Sequence, residues 1–118
     1  MFAIQYADPH HTEIQALLRE SHKLMKLLYA NHQDYSLSIN ELCDNSVRFL
    51  GAKSEETYIG CAALKLHEGY GEIKSLFAAS NHRGKGVGKA LLSALEREAM
   101  KLHLPYLKLE TGALLREA

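Results

Sequence analysis

The chain has 118 residues, enough for one small domain built on a single core. Apolar residues make up 47% and charged residues 24%, a globular balance that excludes a disordered or low-complexity chain. Fourteen Lys and Arg balance fourteen Asp and Glu. No bulk charge exists to drive non-specific binding, so neither nucleic acid nor a membrane surface is expected as a partner.

The first residues, MFAIQYADPHH, carry no basic region followed by a long apolar run, and no window is apolar enough to span a membrane. Cys43 and Cys61 stand far apart, without metal-type spacing. Both are expected to be free thiols in a reducing compartment, so a cytoplasmic setting is expected.

Phe2, Ile4 and Tyr6 alternate with Ala3 and Gln5, which predicts a short strand ended by Asp8-Pro9. Ile14, Leu17, Leu18, Leu24, Met25 and Leu28 then fall on one helical face, which predicts an amphipathic helix at about 11–30. Residues 31–46 are polar and irregular, with one helical turn expected near Ile39–Cys43. VRFLGA (47–52), YIGCAALKL (58–66) and GEIKSLFAA (71–79) read as three strands joined by the short turns KSEET and HEGYG, hence as antiparallel neighbours. Val87, Ala90, Leu91, Ala94, Leu95, Ala99 and Leu102 form the stripe of a helix at roughly 86–103, closed by Pro105. Tyr106–Glu110 reads as a last strand. The order is β-α-β-β-β-α-β, an α/β fold with a mixed, mostly antiparallel sheet. Its final β-loop-α-β unit should set two strands parallel.

The segment between the fourth strand and the last helix carries the chemistry. Gly84, Gly86 and Gly88 stand at alternate positions among Arg83, Lys85 and Lys89. Glycines there can serve a sharp turn alone. A helix start also exposes amides that lack helical partners and, with the helix dipole, attracts anions. Absent Cβ atoms let a phosphate approach the backbone, and the three cations add charge at the same place. Two familiar phosphate loops do not fit. A P-loop would need its first glycine at Arg83 and Ser or Thr at Ala90. A dinucleotide fingerprint needs G-x-G-x-x-G at the opening of a parallel unit, and here the spacing is G-x-G-x-G.

The stretch Arg83-Gly84-Lys85-Gly86-Val87-Gly88 resembles the R/Q-x-x-G-x-G/A signature of the GNAT N-acetyltransferases. GEIKSLFAASNHRGKGVGKALLSALEREA is similar to that family's fourth strand, loop and third helix. YLKLETG resembles its fifth strand and FLGAKSEETYIGCAALKL its preceding hairpin. The likeness runs over about 47–112 and more loosely over the first strand and helix.

It implies an acyl-CoA N-acyltransferase-like fold with a splayed parallel strand pair, and acetyl-coenzyme A as cosubstrate. The diphosphate would be held by backbone around Arg83, Gly84, Lys85, Gly86, Val87 and Gly88, with Lys89 and His82 at hand. The pantetheine arm would pair with Leu76, Phe77 and Ala78 in the manner of an added strand. One of those amides could also stabilise the oxyanion formed on attack. Glu72 would be the base that frees a primary amine, in a small molecule or peptide, for direct attack; Glu110 is the alternative. Lys74 and Leu76 should share a strand face with Glu72.

Seven histidines show no ligand spacing, so no metal is expected, and Cys61 reads as a buried, inert thiol. Residues 1–118 would form one domain, short at its C-terminal end: the family's last helix, with its frequent thiolate-protonating tyrosine, and its last two strands have no match. A second copy is expected to cover the strand at Tyr106–Glu110, giving a homodimer through the C-terminal half. Two alternatives remain open. One is a weak or inactive coenzyme A-binding module acting as sensor or assembly subunit; the other is a purely structural domain.

Overall fold

The computed structural model describes residues 2–28, 38–82 and 84–109, apart from the side chains of residues 25, 26 and 28. Five strands, β1 (Ala3–Tyr6), β2 (Val47–Ser54), β3 (Thr57–His67), β4 (Tyr70–Ala78) and β5 (Leu107–Leu109), lie side by side in chain order. Three helices accompany them: α1 (Thr12–Leu28), the single turn α2 (Ile39–Leu42) and α3 (Val87–Lys101). The first four strands pair antiparallel; β5 returns parallel to β4, with Gly71 opposite Leu107 and Ile73 opposite Leu109. The expected mixed sheet and element order are both present.

The sheet has a core on each side rather than the single core expected from length. Leu50, Ala52, Ile59, Ala62, Leu64 and Ile73 pack against Val87, Leu91, Ala94, Leu95 and Ala99 of α3. Val47, Phe49, Tyr58, Cys61, Ala63 and Phe77 pack against Ile14, Leu17 and Leu18 of α1 and Leu42 of α2. This is the usual consequence of strands apolar on both faces. Gly51 and Gly60 permit the close packing. A Cβ on Gly51 would lie 2.6 Å from Tyr58 Cε1, and one on Gly60 would lie 2.7 Å from Val87 Cγ1. Gly60 therefore lets the first turn of α3 seat directly on the sheet.

Helix ends follow local chemistry. The Glu13 amide donates to His11 Nδ1 at 3.1 Å, and Ser38 and Glu41 cap α2 reciprocally. At its far end α3 stops before Pro105 is reached. The His103 amide donates to Met100 O and the Leu104 amide to Ala99 O, with His103 left-handed at φ 57°. That is a Schellman turn with histidine where glycine is commoner. So the helix ends at Lys101, and Pro105 follows a termination already made.

Strand β4 carries the main departure from simple alternation. Ser75 has φ 54°, and Ala62 lies between the pairs Cys61–Phe77 and Ala63–Lys74. Two β4 residues, Ser75 and Leu76, thus face one on β3, which is a β-bulge. The bulge exchanges the faces of the strand. Ile73 and, beyond the bulge, Leu76 and Ala78 contact the α3 core, whereas Phe77 enters the α1 core. The expectation that Glu72, Lys74 and Leu76 share a face fails at this point. Glu72 and Lys74 do share one, and Leu76 lies on the other.

Candidate active site

The glycine loop follows β4 through a short 3₁₀ turn at Ser80–His82 and leads directly into α3. Gly84 (φ 83°) and Gly86 (φ 81°) are both left-handed, a conformation that strains any residue with a Cβ. Among the described residues, a Cβ added at either position would meet nothing within 4 Å. Space therefore lies beside the backbone at both positions. Gly86 is the N-cap of α3 and supplies no side chain to its first amides. The next intrahelical bond runs from the Ala90 amide to Gly86 O at 3.0 Å. An uncapped helix start with open space against its glycines fits a phosphate group. Lys85 and Lys89 are exposed on the same stretch and His82 is half-buried just before it. Arg83 and Glu110 lie outside the described residues.

Between bulge and loop stand Leu76, Phe77 and Ala78. Leu76 and Ala78 pack their side chains on the α3 core and Phe77 packs into the α1 core. Among the described residues, the ladder to β5 joins only Gly71–Ile73 of β4.

Glu72 lies at the opposite end of β4. The rise of a strand, about 3.3 Å per residue, puts it roughly 20 Å along β4 from Ala78. Its Oε1 is 2.8 Å from His67 Nε2, and its Oε2 is 3.4 Å from Lys74 Nζ. Glu72 and Lys74 side chains are mostly buried, with His67 the more open of the three. The two-residue turn after His67 makes this contact, since His67 pairs with Tyr70 and Lys65 with Glu72 across the hairpin. An imidazole in hydrogen-bond reach of a carboxylate is a pair able to pass a proton. Sequence reasoning singled out Glu72 and the hairpin but not the contact of Glu72 with His67; cross-strand pairing through HEGYG was the available signal. Tyr70 continues the cluster, stacked on His67 at 4.6 Å between ring centroids and on Tyr106 at 5.6 Å. Lys108 Nζ sits 4.8 Å above the Tyr70 ring.

Both cysteines are free. Cys61 is wholly enclosed, its thiol donates to Ser75 O at 3.5 Å, and burial pushes its pKa up to about 12. It cannot serve as a nucleophile near neutral pH. Sequence spacing also missed a second grouping. Asp8, His10 and Cys43 bring a carboxylate oxygen, an imidazole nitrogen and a thiol within 4.8 Å of one another.

A strand that ends in a glycine-lined helix start, beside a parallel strand pair, is the arrangement for which comparisons with known proteins supply a family. The sequence pattern of the acetyltransferase (GNAT) family matches residues 6–117. An IAA acetyltransferase of Azospirillum brasilense is 33% identical over 107 residues, which cover 89% of this chain and 70% of that protein. An acyl-CoA N-acyltransferase-type structure from Klebsiella pneumoniae superposes with a TM-score of 0.78 at 29% identity, covering 98% of this chain and 75% of the other. The PaiA N-acetyltransferase of Thermoplasma acidophilum, solved with coenzyme A, shares the fold with a TM-score of 0.72 at 21% identity, over 88% and 75% of the two chains.

The chain belongs to the GNAT acetyltransferase family. It is an acetyl-coenzyme A-dependent N-acetyltransferase, performing acyl transfer from coenzyme A. Among the described residues, no helix is long and apolar enough to cross a membrane.

Proposed function

We propose that the protein transfers the acetyl group of acetyl-coenzyme A to a primary amine, of a small molecule or a peptide, by direct attack. The observation that carries this is the start of α3: Gly84 and Gly86 are left-handed, a Cβ at either would meet no atom of the described residues within 4 Å, and the N-cap Gly86 offers the helix no side chain. In this reading the backbone from Gly84 to Gly88, with Arg83, Lys85, Lys89 and His82 near it, holds the diphosphate. The backbone of Leu76, Phe77 and Ala78 aligns the pantetheine arm along β4.

Bound acetyl-coenzyme A supplies a thioester carbonyl. Glu72, partnered by His67, takes a proton from the incoming ammonium, because only the neutral amine has a lone pair for attack. The amine lone pair forms the C–N bond as the carbonyl π pair moves onto oxygen, which an amide N–H among Leu76–Ala78 can steady; the C–S bond then breaks, and coenzyme A leaves as its thiol, carrying the second proton that the nitrogen sheds. The enclosure of Cys61 supports direct transfer over an acyl-enzyme, since the thiol bordering the bulge stays protonated.

The same reading includes a second copy of the chain along β5, an outer strand of the described sheet. Tyr106 is 54% and Leu109 41% exposed there, which favours burial against a partner. It also includes a cytoplasmic setting, in keeping with two free thiols. A monomer by light scattering at micromolar concentration would remove the second copy from the account. The activity is tested by thiol release from acetyl-coenzyme A across a panel of amines. Turnover with at least one primary amine is expected. Coenzyme binding without turnover on any acceptor would replace the enzyme reading with a binding module.

A further inference from the structure

Asp8, His10 and Cys43 share no residue with the glycine loop or the Glu72 cluster, and the proposed transfer assigns none of them a role. They meet where the chain enters α1 and where α2 ends. His10 Nδ1 lies 3.3 Å from Asp8 Oδ1 and 3.5 Å from Cys43 Sγ, and all three side chains are exposed.

We propose that Asp8, His10 and Cys43 form a binding site for a borderline-soft divalent cation of the zinc or cobalt kind, with one coordination position open to solvent. The donor spacing carries the proposal. Zinc bonds of about 2.3 Å to sulfur and about 2.0–2.1 Å to nitrogen and oxygen, arranged tetrahedrally, set an S···N edge of about 3.5 Å and an N···O edge of about 3.3 Å. The two edges that meet at His10 Nδ1, 3.3 Å to Asp8 Oδ1 and 3.5 Å to Cys43 Sγ, already have those lengths; the three donor atoms lie within 4.8 Å of one another, so the remaining Asp8–Cys43 edge draws in to its own ~3.5 Å on the ion. The donor set selects the ion as well. Thiolate and imidazole suit zinc and cobalt, whereas magnesium and calcium take oxygen donors.

Local backbone holds the donors in place. Asp8 Oδ1 accepts from the His10 amide at 2.9 Å, which fixes those two side chains in one turn. The Cys43 amide donates to Ile39 O and Asn40 O, both at 3.2 Å, at the end of a turn whose start is closed by Ser38 and Glu41. The donors are also 33 residues apart along the chain, so an ion held here would fasten the approach to α1 to the end of α2. Binding releases the Cys43 thiol proton to solvent and changes no oxidation state.

Titration of the reduced, untagged protein with cobalt(II), followed by absorption, tests this directly. A thiolate-to-cobalt charge-transfer band is expected, with visible bands of tetrahedral type that zinc displaces. The chain has two cysteines, and Cys61 is wholly enclosed, so a sulfur band reports Cys43. Cys43→Ser should abolish the band, and His10→Ala should weaken cobalt affinity by at least about tenfold. Both positions are exposed, and unchanged circular dichroism would show the variants folded. Absence of the sulfur band in the parent protein would overturn the proposal, as would its survival in Cys43→Ser.

Discussion

The Tyr6 hydroxyl donates a 2.6 Å hydrogen bond to Oε1 of Glu98, tying edge strand β1 to helix α3 across 92 residues of sequence. Glu98 is 8% exposed, a charged residue within the apolar stripe of α3, and Lys101 Nζ reaches its other oxygen at 3.0 Å. Burial works to raise the Glu98 carboxyl, but the hydrogen bonds from Tyr6 and Lys101 outweigh it and hold the group below its ordinary value. The same bond to Glu98, followed by burial, raises Tyr6.

Removing this bond should cost stability with a defined pH dependence. Tyr6→Phe is expected to destabilise by about 1 kcal/mol, below the ~1.5–3 usual for a hydrogen bond to a charged group. The smaller figure reflects a Tyr6 residue that is 59% exposed. A depressed carboxyl contributes stability that is present above its unfolded pKa and lost as pH falls through the folded one. The advantage of the parent over Glu98→Gln should therefore hold at neutral pH and shrink below about 4.5, the ordinary glutamate value. Tyr6, being raised, gives the opposite limb: its contribution is present below pH 10.0 and lost as pH rises beyond it. Urea unfolding from pH 3 to 11 measures both limbs, and a pH-independent difference would contradict the assignment.

Gly60→Ala should injure both stability and coenzyme binding. The new Cβ would press on Val87 Cγ1 at 2.7 Å and on Phe77 O, a backbone atom, at 3.0 Å. Overpacking of this kind costs about 1–3 kcal/mol. The first turn of α3 must move off the sheet to relieve it, and that turn is the proposed diphosphate site. Thermal melts and coenzyme A calorimetry on the same sample should show both losses.

Gly86→Ala separates conformation from binding. A left-handed alanine costs about 1–2 kcal/mol, so the variant should fold with a lowered melting temperature. Its Cβ meets nothing within 4 Å among the described residues, yet it would project into the space assigned to phosphate. Coenzyme A affinity should fall about tenfold or more, the equivalent of one lost hydrogen bond to a charged group. Intact affinity in the folded variant would mean that the glycine serves only the turn.

Glu72→Gln is expected to lower kcat by about 100-fold or more, the usual contribution of a positioned base. Coenzyme A affinity should stay level, because Glu72 lies at the far end of β4 from the loop. Steady-state kinetics against amine at several pH values, with calorimetry alongside, reads both quantities. An unchanged kcat would move the proton-accepting role elsewhere, with His67 the next group to test.

Element order and the strand–loop–helix site were legible because each rests on local pattern. Period-two alternation marked β2 to β4, period-3.6 stripes marked α1 and α3, and three alternate glycines marked the loop. What escaped was non-local or hidden in ordinary residues. Ser75 gives no sign in EIKSLFA that it takes a left-handed conformation, and without the bulge Leu76 seemed to share a face with Glu72. The Tyr6–Glu98 bond and the Asp8–His10–Cys43 grouping join residues 92 and 33 apart, at separations that no sequence spacing encodes. His103 ended α3 where Pro105 had seemed to do so, since a Schellman turn is usually read from glycine.

The account depends on backbone amides at the start of α3 gripping the diphosphate of coenzyme A. Amide-resolved NMR on the ¹⁵N-labelled protein, titrated with coenzyme A, tests this most directly. The largest saturable shifts should fall on the amides from Gly84 to Lys89, with smaller ones on Leu76 to Ala78. Saturable binding that leaves the Gly84–Lys89 amides unmoved would contradict it.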